Sequence, residues 1–328
     1  MIAAGRRAKG ADPIRIIVGA TASGKERLAI ACTWLANGEI VSLDSMKVYR
    51  RLDIATAKPC AADRALIPHH CLDLADPTET FSAADYVRAA DAAIRDVRSR
   101  GRTPFLSGGS AFYCQALLYG LFDGPGADPE VRRRLEERAD REGSLSLHRE
   151  LAETDPAAAA KIHPSDVRRV VRALEVAALT GAGISVRQTQ WDGFHGTVRA
   201  GVSASSRHPF VMIRLVRNRD DIRERIRART GRMAAAGLRD EAEWVFANRE
   251  CLSRTLLQAV GYKEFFPFFR GESTWDEAMD RLCLASHRLV RKQETWFRKF
   301  PAREVFLYPD TNMDQLAEEL NRTAFRSA

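Results

Sequence analysis

Residues 14–26 read Ile-Arg-Ile-Ile-Val-Gly-Ala-Thr-Ala-Ser-Gly-Lys-Glu. The β-branched run at 14–18 predicts a strand, and the apolar spacing from Lys25 to Leu35 predicts a helix. Between them lies the pattern G-x-x-x-x-G-K, in the strand–loop–helix context that a phosphate-binding loop requires. Its backbone N–H groups can point at phosphate oxygens, and its lysine adds a positive charge. The predicted phosphate-binding residues are Gly19, Ala20, Thr21, Ala22, Ser23, Gly24, Lys25 and Glu26.

Position 26 departs from this motif, because Glu26 stands where the motif has a Ser or Thr whose hydroxyl ligates Mg²⁺. A carboxylate is a hard oxygen ligand that could hold the cation directly or through water. In the absence of the cation it would repel a diphosphate. We predict Mg²⁺ as the cofactor and Glu26 as its candidate ligand. The sequence does not decide between metal binding by Glu26 and repulsion of the diphosphate.

Asp44 follows a second predicted strand, Glu39 to Leu43. In a parallel sheet the strands end at one edge, so Asp44 is expected beside the phosphate loop. A carboxylate there could hold Mg²⁺, as in nucleotide hydrolases, or act as the general base for an attacking nucleophile. The alternative is a structural role as a cap at the strand end.

Strands and helices alternate along the first part of the chain, which predicts an α/β fold with a P-loop NTPase-like parallel sheet flanked by helices. After Gly124-Pro125-Gly126 only helices are predicted, and this indicates an inserted all-helical domain. A strand at Phe210 to Leu215 returns to the sheet, and the rest is predicted to be helical. The expected organisation is a loose tail at 1–12, an α/β core at 13–123 and 209–328, and a helical insertion at 124–208.

Composition and charge restrict the class of protein. The chain has 328 residues, of which 45% are hydrophobic and 29% charged, close to the average of soluble globular proteins. No apolar run approaches the length of about 20 residues that spans a bilayer, and the first residues do not resemble a signal peptide. A net charge of +8 favours a polyanionic partner. The six cysteines lack metal-binding spacing. We expect a cytoplasmic monomer without membrane contact.

Several short segments, in order from about residue 14 to 300, jointly resemble the tRNA dimethylallyltransferases. Beside the phosphate loop they include Asp44-Ser-Met-Lys-Val-Tyr-Arg50, 53–59, Pro68-His69-His70, Gly108-Gly109-Ser110-Ala111-Phe112-Tyr113, 162–166 with Arg169, 172–175, Val260-Gly261-Tyr262-Lys263-Glu264 and Thr295-Trp296-Phe297-Arg298.

The resemblance implies transfer of a dimethylallyl group from dimethylallyl diphosphate to the exocyclic N6 amine of the adenosine on the 3′ side of the anticodon. Asp44 would accept the amine proton. Lys25, Mg²⁺ and Arg219, which aligns with the family's arginine at the start of the helix after the late strand, would stabilise the leaving diphosphate. Ser110 would place a hydroxyl near the target base.

The resemblance also implies contacts with the anticodon stem-loop of tRNA. Lys47 replaces a common Gln, so base reading there is expected to change, because an ammonium donates but cannot accept hydrogen bonds. Arg168 and Arg172 are four residues apart and are predicted to share one face of a helix. The implied tRNA-contacting residues are Asp44, Ser45, Met46, Lys47, Ser110, Arg132, Arg168, Arg169, Val170, Val171, Arg172, Gln258, Gly261, Tyr262 and Lys263.

Two other functions remain open from the residues alone. A phosphate-loop nucleotide kinase would bind ATP at Gly19 to Lys25 and a metal at Asp44. A catalytically weakened relative would bind tRNA without efficient transfer, a hypothesis motivated by Glu26 and Lys47.

Overall fold

The structure is a computed structural model, and it describes residues 12–122, 124–187 and 206–325. The described residues form two compact units. The first, called the core unit, comprises 12–119 and 206–325, and the second, called the helical unit, comprises 120–187.

In the described part of the chain the core unit contains a six-stranded sheet with the order β3-β2-β4-β1-β5-β6. All of its strand pairs are parallel. The strands are β1 (Ile14–Gly19), β2 (Gly38–Leu43), β3 (His69–His70), β4 (Thr103–Gly108), β5 (Phe210–Arg217) and β6 (Arg303–Leu307). Because β1 lies between β4 and β5, the loop that follows β1 emerges at the middle of the sheet edge, the usual ligand position in this class of fold.

Helices surround the sheet and form the second unit. They are α1 (Lys25–Leu35), α2 (Ala61–Leu66), α3 (Ala83–Ser99), α4 (Ala111–Tyr119), α5 (Pro129–Glu142), α6 (Ser144–Thr154), α7 (Pro156–Ala159), α8 (Val167–Thr180), α9 (Ile184–Arg187), α10 (Arg219–Ala235), α11 (Leu238–Ala247), α12 (Arg254–Leu257), α13 (Phe266–Phe269), α14 (Trp275–Phe297) and α15 (Met313–Thr323). A 3₁₀ helix spans Lys263–Phe265.

Local sequence explains where several helices begin. Ser82 and Thr274 cap α3 and α14, and each forms a capping box with an acidic residue three positions later. In the helical unit, Asp128 and Asp166 cap α5 and α8 in the same way through backbone N–H groups. These caps fix the helix starts independently of tertiary contacts.

Each unit has its own apolar core. In the core unit, β1 and β2 are almost completely buried, as expected for strands covered by helices on both faces. In the helical unit, Leu147 and Leu151 of α6 pack with Val170 and Val171 of α8. The helical unit therefore contains a hydrophobic cluster of its own.

The fold class predicted from the sequence is confirmed, but the prediction that the chain after Leu215 is wholly helical is wrong. Residues Arg303–Leu307 form the edge strand β6, which pairs with β5. Its residues are mostly exposed or half-buried, so the segment lacks the continuous apolar run that revealed the central strands. No helix among the described residues has the length and apolar character needed to cross a membrane.

Candidate active site

The phosphate loop connects the carboxyl end of β1 to the first turn of α1. Gly24 adopts a left-handed conformation with φ of +94°, and a Cβ atom at Gly19 would lie 2.7 Å from Ser23 Oγ. Both positions therefore favour glycine for steric reasons. The Lys25 side chain is buried, and its Nζ donates to the carbonyl of Ala20 at 3.3 Å. The loop thus curls around its own lysine.

Burial, together with the nearby cations Lys47 and Arg229, lowers the pKa of Lys25 to about 8. The carboxylates of Glu26 and Asp44 oppose this shift. An anion bound in the loop would stabilise the ammonium form and raise the pKa again. The positive charges around the loop therefore favour an anionic ligand.

Arginines of β5 and α10 bind the outside of the loop. Arg217 Nε donates to the Ser23 carbonyl at 2.8 Å, and Arg225 Nε donates to the Ala22 carbonyl at 2.7 Å. Arg229 donates to the Thr21 hydroxyl. Burial lowers the pKa of Arg229, and the charges of Asp44 and Glu26 counteract that effect, so the guanidinium lies within electrostatic reach of both carboxylates. Sequence reasoning did not single out these contacts.

Arg219, the arginine selected from the resemblance, has a different position. It is the first residue of α10 and is exposed. Among the described residues no hydrogen bond joins it to the phosphate loop, whereas Arg225 and Arg229, four residues apart on the same helix, both contact it. That spacing of four was visible in the sequence, but other arginines on α10 obscured it.

Asp44 and Ser110 lie next to one another at the ends of β2 and β4. Asp44 Oδ1 accepts backbone hydrogen bonds from Met46 at 2.8 Å and from Lys47 at 3.4 Å. Ser110 Oγ accepts from the Ser45 N–H at 2.9 Å, and the Ser110 N–H donates to the Leu43 carbonyl. Asp44 is half-buried, and among the described residues Oδ2 has no hydrogen-bond partner. Oδ1 of Asp44 therefore caps the turn, while Oδ2 is free to accept a proton or bind a ligand.

Gln293 of α14 connects the two parts of the site. Its Oε1 accepts from the Thr21 N–H at 2.8 Å, and its Nε2 donates to the Gly109 carbonyl at 3.0 Å. A Cβ atom at Gly109 would lie 2.4 Å from Nε2, so glycine at this position makes room for the amide. A single side chain thus ties the phosphate loop to the turn that carries Ser110.

Glu26 and Lys47 form an ion pair, with 2.9 Å between Lys47 Nζ and Glu26 Oε1. The Lys47 side chain is 5% exposed and that of Glu26 is 38% exposed. Burial alone would raise the pKa of Glu26, but Lys47 and Lys25 outweigh that effect and lower it. Lys47 is thus directed at the phosphate loop, while its neighbours Ser45 and Met46 are half-exposed.

The carboxylates present are compatible with Mg²⁺. This ion is usually held by one or two carboxylates together with substrate phosphates rather than by a complete protein cage. The described residues contain no cluster of three or more His, Cys, Asp or Glu side chains that could form such a cage. Glu26 directly follows Lys25 and is the candidate ligand, whereas Asp44 would hold the ion only in the kinase alternative.

The segment from Gln258 to Lys263 divides into buried and exposed residues. Tyr262 is completely buried, and its hydroxyl donates to Glu241 Oε1 at 3.0 Å. The same carboxylate accepts the consecutive backbone N–H groups of 53–55. Gln258 and Lys263 are exposed. Tyr262 contacts the carboxylate that binds 53–55, and Gly261 closely approaches Ala55, where a Cβ atom would lie 2.8 Å from Ala55 Cβ. RNA contact by Gln258 and Lys263 stays a prediction.

Two arginines of the helical unit, Arg132 and Arg172, bind a buried carboxylate. Arg132 and Arg172 donate to Glu175 Oε2 at 2.7 and 2.6 Å, and Glu175 is completely buried. Arg169 pairs with Asp166 at 3.2 Å. Arg168 is exposed and, among the described residues, has no ion-pair partner. The predicted tRNA contacts Val170 and Val171 are buried in the core of this unit, so their side chains are unavailable to a ligand.

Known proteins similar to this chain are enzymes that modify tRNA. A family model described as IPP transferase matches residues 47–300. The chain is 39% identical to the tRNA dimethylallyltransferase of Geobacter sulfurreducens, covering 95% of this chain and 97% of that protein. It is 42% identical to the enzyme of the same name from Methylococcus capsulatus, covering 88% and 89%.

Solved structures agree with these relatives. The full-length tRNA isopentenylpyrophosphate transferase from Bacillus halodurans is 35% identical, with a TM-score of 0.65 and coverage of 95% of both chains. A eukaryotic dimethylallyltransferase acting on tRNA is 23% identical, with a TM-score of 0.75, coverage of 95% of this chain and 79% of that chain, and it shows the shared fold.

Proposed function

This chain belongs to the tRNA dimethylallyltransferase family, and from that membership we propose the reaction and the roles of its residues. The enzyme transfers a dimethylallyl group from dimethylallyl diphosphate to N6 of the adenosine that follows the anticodon on its 3′ side. Diphosphate is the second product. The observation that carries the proposal is the position of Asp44 and Ser110 beside the phosphate loop that contains the buried Lys25.

In the transfer step, the N6 lone pair forms a bond to the allylic C1 carbon as the C1–O bond breaks. The bonding electrons leave with the diphosphate, and the amine proton passes to Asp44. A positioned general base of this kind contributes about 10²- to 10⁴-fold in rate. Its Oδ1 remains bound to the turn, so Oδ2 is the oxygen available for the proton.

The leaving diphosphate gains one negative charge, on the oxygen released from C1, and the loop must stabilise it. Backbone N–H groups of the loop, Lys25 and Arg229 are the candidates for this. Arg219, to which the resemblance gives the same role, is the less favoured candidate, because it is exposed and has no hydrogen bond to the loop among the described residues. When bound, Mg²⁺ would neutralise part of the diphosphate charge, with Glu26 as the candidate ligand.

The RNA must present an unstacked adenosine to the site. Unstacking costs a few kcal/mol, and less in a single-stranded loop. Ser110 Oγ, beside Asp44, is the candidate donor or acceptor for the base. The exposed cations Arg168 and Lys263 and the exposed amide of Gln258 are candidate contacts with the anticodon stem-loop.

Incubation of the protein with tRNA, Mg²⁺ and radiolabelled dimethylallyl diphosphate tests the proposal. We expect label in the RNA, and nuclease digestion followed by mass spectrometry should locate it on the adenosine 3′ to the anticodon. The kinase alternative predicts ATP turnover with no labelled RNA. A weakened relative predicts tRNA binding without transfer. We further propose that the protein works as a cytoplasmic monomer, which sedimentation analysis and cell fractionation test.

A further inference from the structure

The two residues that depart from the expected motifs are in contact with each other. Glu26 belongs to the first turn of α1, and Lys47 belongs to the turn after β2. Their charged atoms are 2.9 Å apart. Glu26 alone would add a negative charge beside the predicted diphosphate position. Together with Lys47 it adds no net charge, as the hydroxyl of the usual motif would add none.

Because Lys47 is more deeply buried than Glu26, Lys47 depends on the ion pair more than Glu26 does. The Lys47 side chain is 5% exposed, and among the described residues Glu26 is the acceptor for its ammonium. An ammonium buried without a partner is costly, so Lys47 requires Glu26. Glu26 is 38% exposed and can be hydrated when its partner is absent.

The other groups near the pair do not replace Lys47. Lys25 donates to the carbonyl of Ala20 rather than to Glu26. Burial lowers the pKa of His69 below its ordinary value, so its ring carries little positive charge at neutral pH. Arg229 is already hydrogen-bonded to Thr21. Asp44, the remaining charged neighbour of Lys25, is negative. Lys47 is the cation in direct contact with Glu26.

We propose that Glu26 and Lys47 act as one positioning unit for the diphosphate, in which Lys47 cancels the repulsion by Glu26 and Glu26 holds the buried ammonium in place. This inference rests on the proposed function of the loop. At an effective dielectric constant near 20, an unpaired charge about 6 Å from one unit of diphosphate charge changes affinity by roughly a hundredfold, and solvent screening at the part-exposed Glu26 lowers the expected effect to about tenfold or more. Mg²⁺ would reduce the effect by neutralising the same charges.

Calorimetric titration with inorganic pyrophosphate, with and without Mg²⁺, tests the unit in four proteins: wild type, Lys47→Gln, Glu26→Gln and the double variant. We expect Lys47→Gln to weaken metal-free binding by about tenfold or more, with partial recovery in Mg²⁺. The double variant should return to within about threefold of wild type, since its charges again sum to zero.

Thermal unfolding gives an independent measurement on the same proteins. Glu26→Gln should lower Tm by several degrees, more than Lys47→Gln, because it strands the buried ammonium. Lys161→Gln, which removes an exposed charge in the helical unit, is the control and should change neither quantity. If the effects of the two substitutions on pyrophosphate binding are additive, Glu26 and Lys47 do not act as a unit, although the diphosphate site itself would stand. Wild-type protein that does not bind pyrophosphate would overturn the diphosphate site and the inference with it.

Discussion

Arginine side chains have different partners in the two units of the chain. In the core unit, Arg225 and Arg229 lie against the phosphate loop and bind its carbonyl and hydroxyl oxygens. In the helical unit, Arg132 and Arg172 converge on the buried carboxylate of Glu175. A basic residue can therefore line a candidate ligand site or hold a buried carboxylate, and its hydrogen-bond partners distinguish the two cases.

Replacing Asp44 by Asn tests the functional side of this comparison with the largest expected effect. Asn keeps an oxygen for the backbone hydrogen bonds from Met46 and Lys47, but it cannot accept the amine proton. We expect transfer to fall by about 10²- to 10⁴-fold in a single-turnover assay. Binding of tRNA, measured by filter retention, should remain. Equal loss of both would mean that Asp44 is structural.

Arg229 and Arg219 provide the second test, because one contacts the loop and the other is exposed on the same helix. Loss of one preorganised donor to developing charge costs about 10²- to 10³-fold in rate. We expect Arg229→Ala to show a loss of this size in the rate of transfer and Arg219→Ala to stay close to wild type. The reverse result would restore the role that the resemblance gives to Arg219.

Glu175→Gln tests the structural side of the comparison. The substitution removes the charge that holds Arg132 and Arg172, whose side chains are 38% and 28% exposed. Breaking a buried pair costs about 3 to 5 kcal/mol, and the partial exposure of the arginines favours the lower figure. We expect the free energy of unfolding, from urea titration, to fall by about 3 kcal/mol.

Arg168→Ala is the matched control on the same helix, since Arg168 is exposed. Its effect on unfolding should stay within about 0.5 kcal/mol. If Arg168 contacts a phosphate, the slope of log affinity for tRNA against log salt should decrease by about one. A large loss of stability in this variant would show that Arg168, like Arg172, stabilises the fold, and would contradict the distinction drawn between the two arginines of α8.

The smallest expected effect is the pH dependence of ligand binding through Lys25. Its pKa of about 8 lies below the ordinary value of 10.5. The unfolded chain binds more protons between these pH values, so this group makes folding more favourable as pH rises through that window. Affinity for dimethylallyl diphosphate should instead fall above pH 8, at most about tenfold per pH unit, as the ammonium is lost. Calorimetry in two buffers should reveal proton uptake on binding.

Lys25→Arg is the control for that titration, because an arginine stays protonated over the whole range. Its ligand affinity should lose the dependence on pH above 8. An unchanged pH profile would assign the titration to another group.

Residues that follow strands were predictable, because a short motif and the geometry of a parallel sheet determine their position. Lys25, Asp44 and Ser110 belong to this class. Gln293 and Arg229 were missed, since each reaches the loop from a helix more than 200 residues away and neither has a local signature. The inward direction of Arg172 had a sequence signal in Glu175, three residues later on the same helix.

The edge strand β6 shows the corresponding limit for the fold. Its exposed and charged residues suit a strand that has one neighbour, but they carry no alternation of apolar and polar side chains. Only the partner strand β5 identifies it. The central strands could be recognised without their partners, because strands buried on both faces have continuous runs of apolar residues.

The carboxylate of Glu241 has a consequence for the dynamics of the 53–55 segment. One side chain of α11 accepts three successive amide protons and a tyrosine hydroxyl. The amides of residues 53–55 can exchange with deuterated solvent only when their hydrogen bonds to Glu241 break, although the surrounding backbone belongs to no helix or strand. Their exchange rates therefore measure how often α11 separates from this turn.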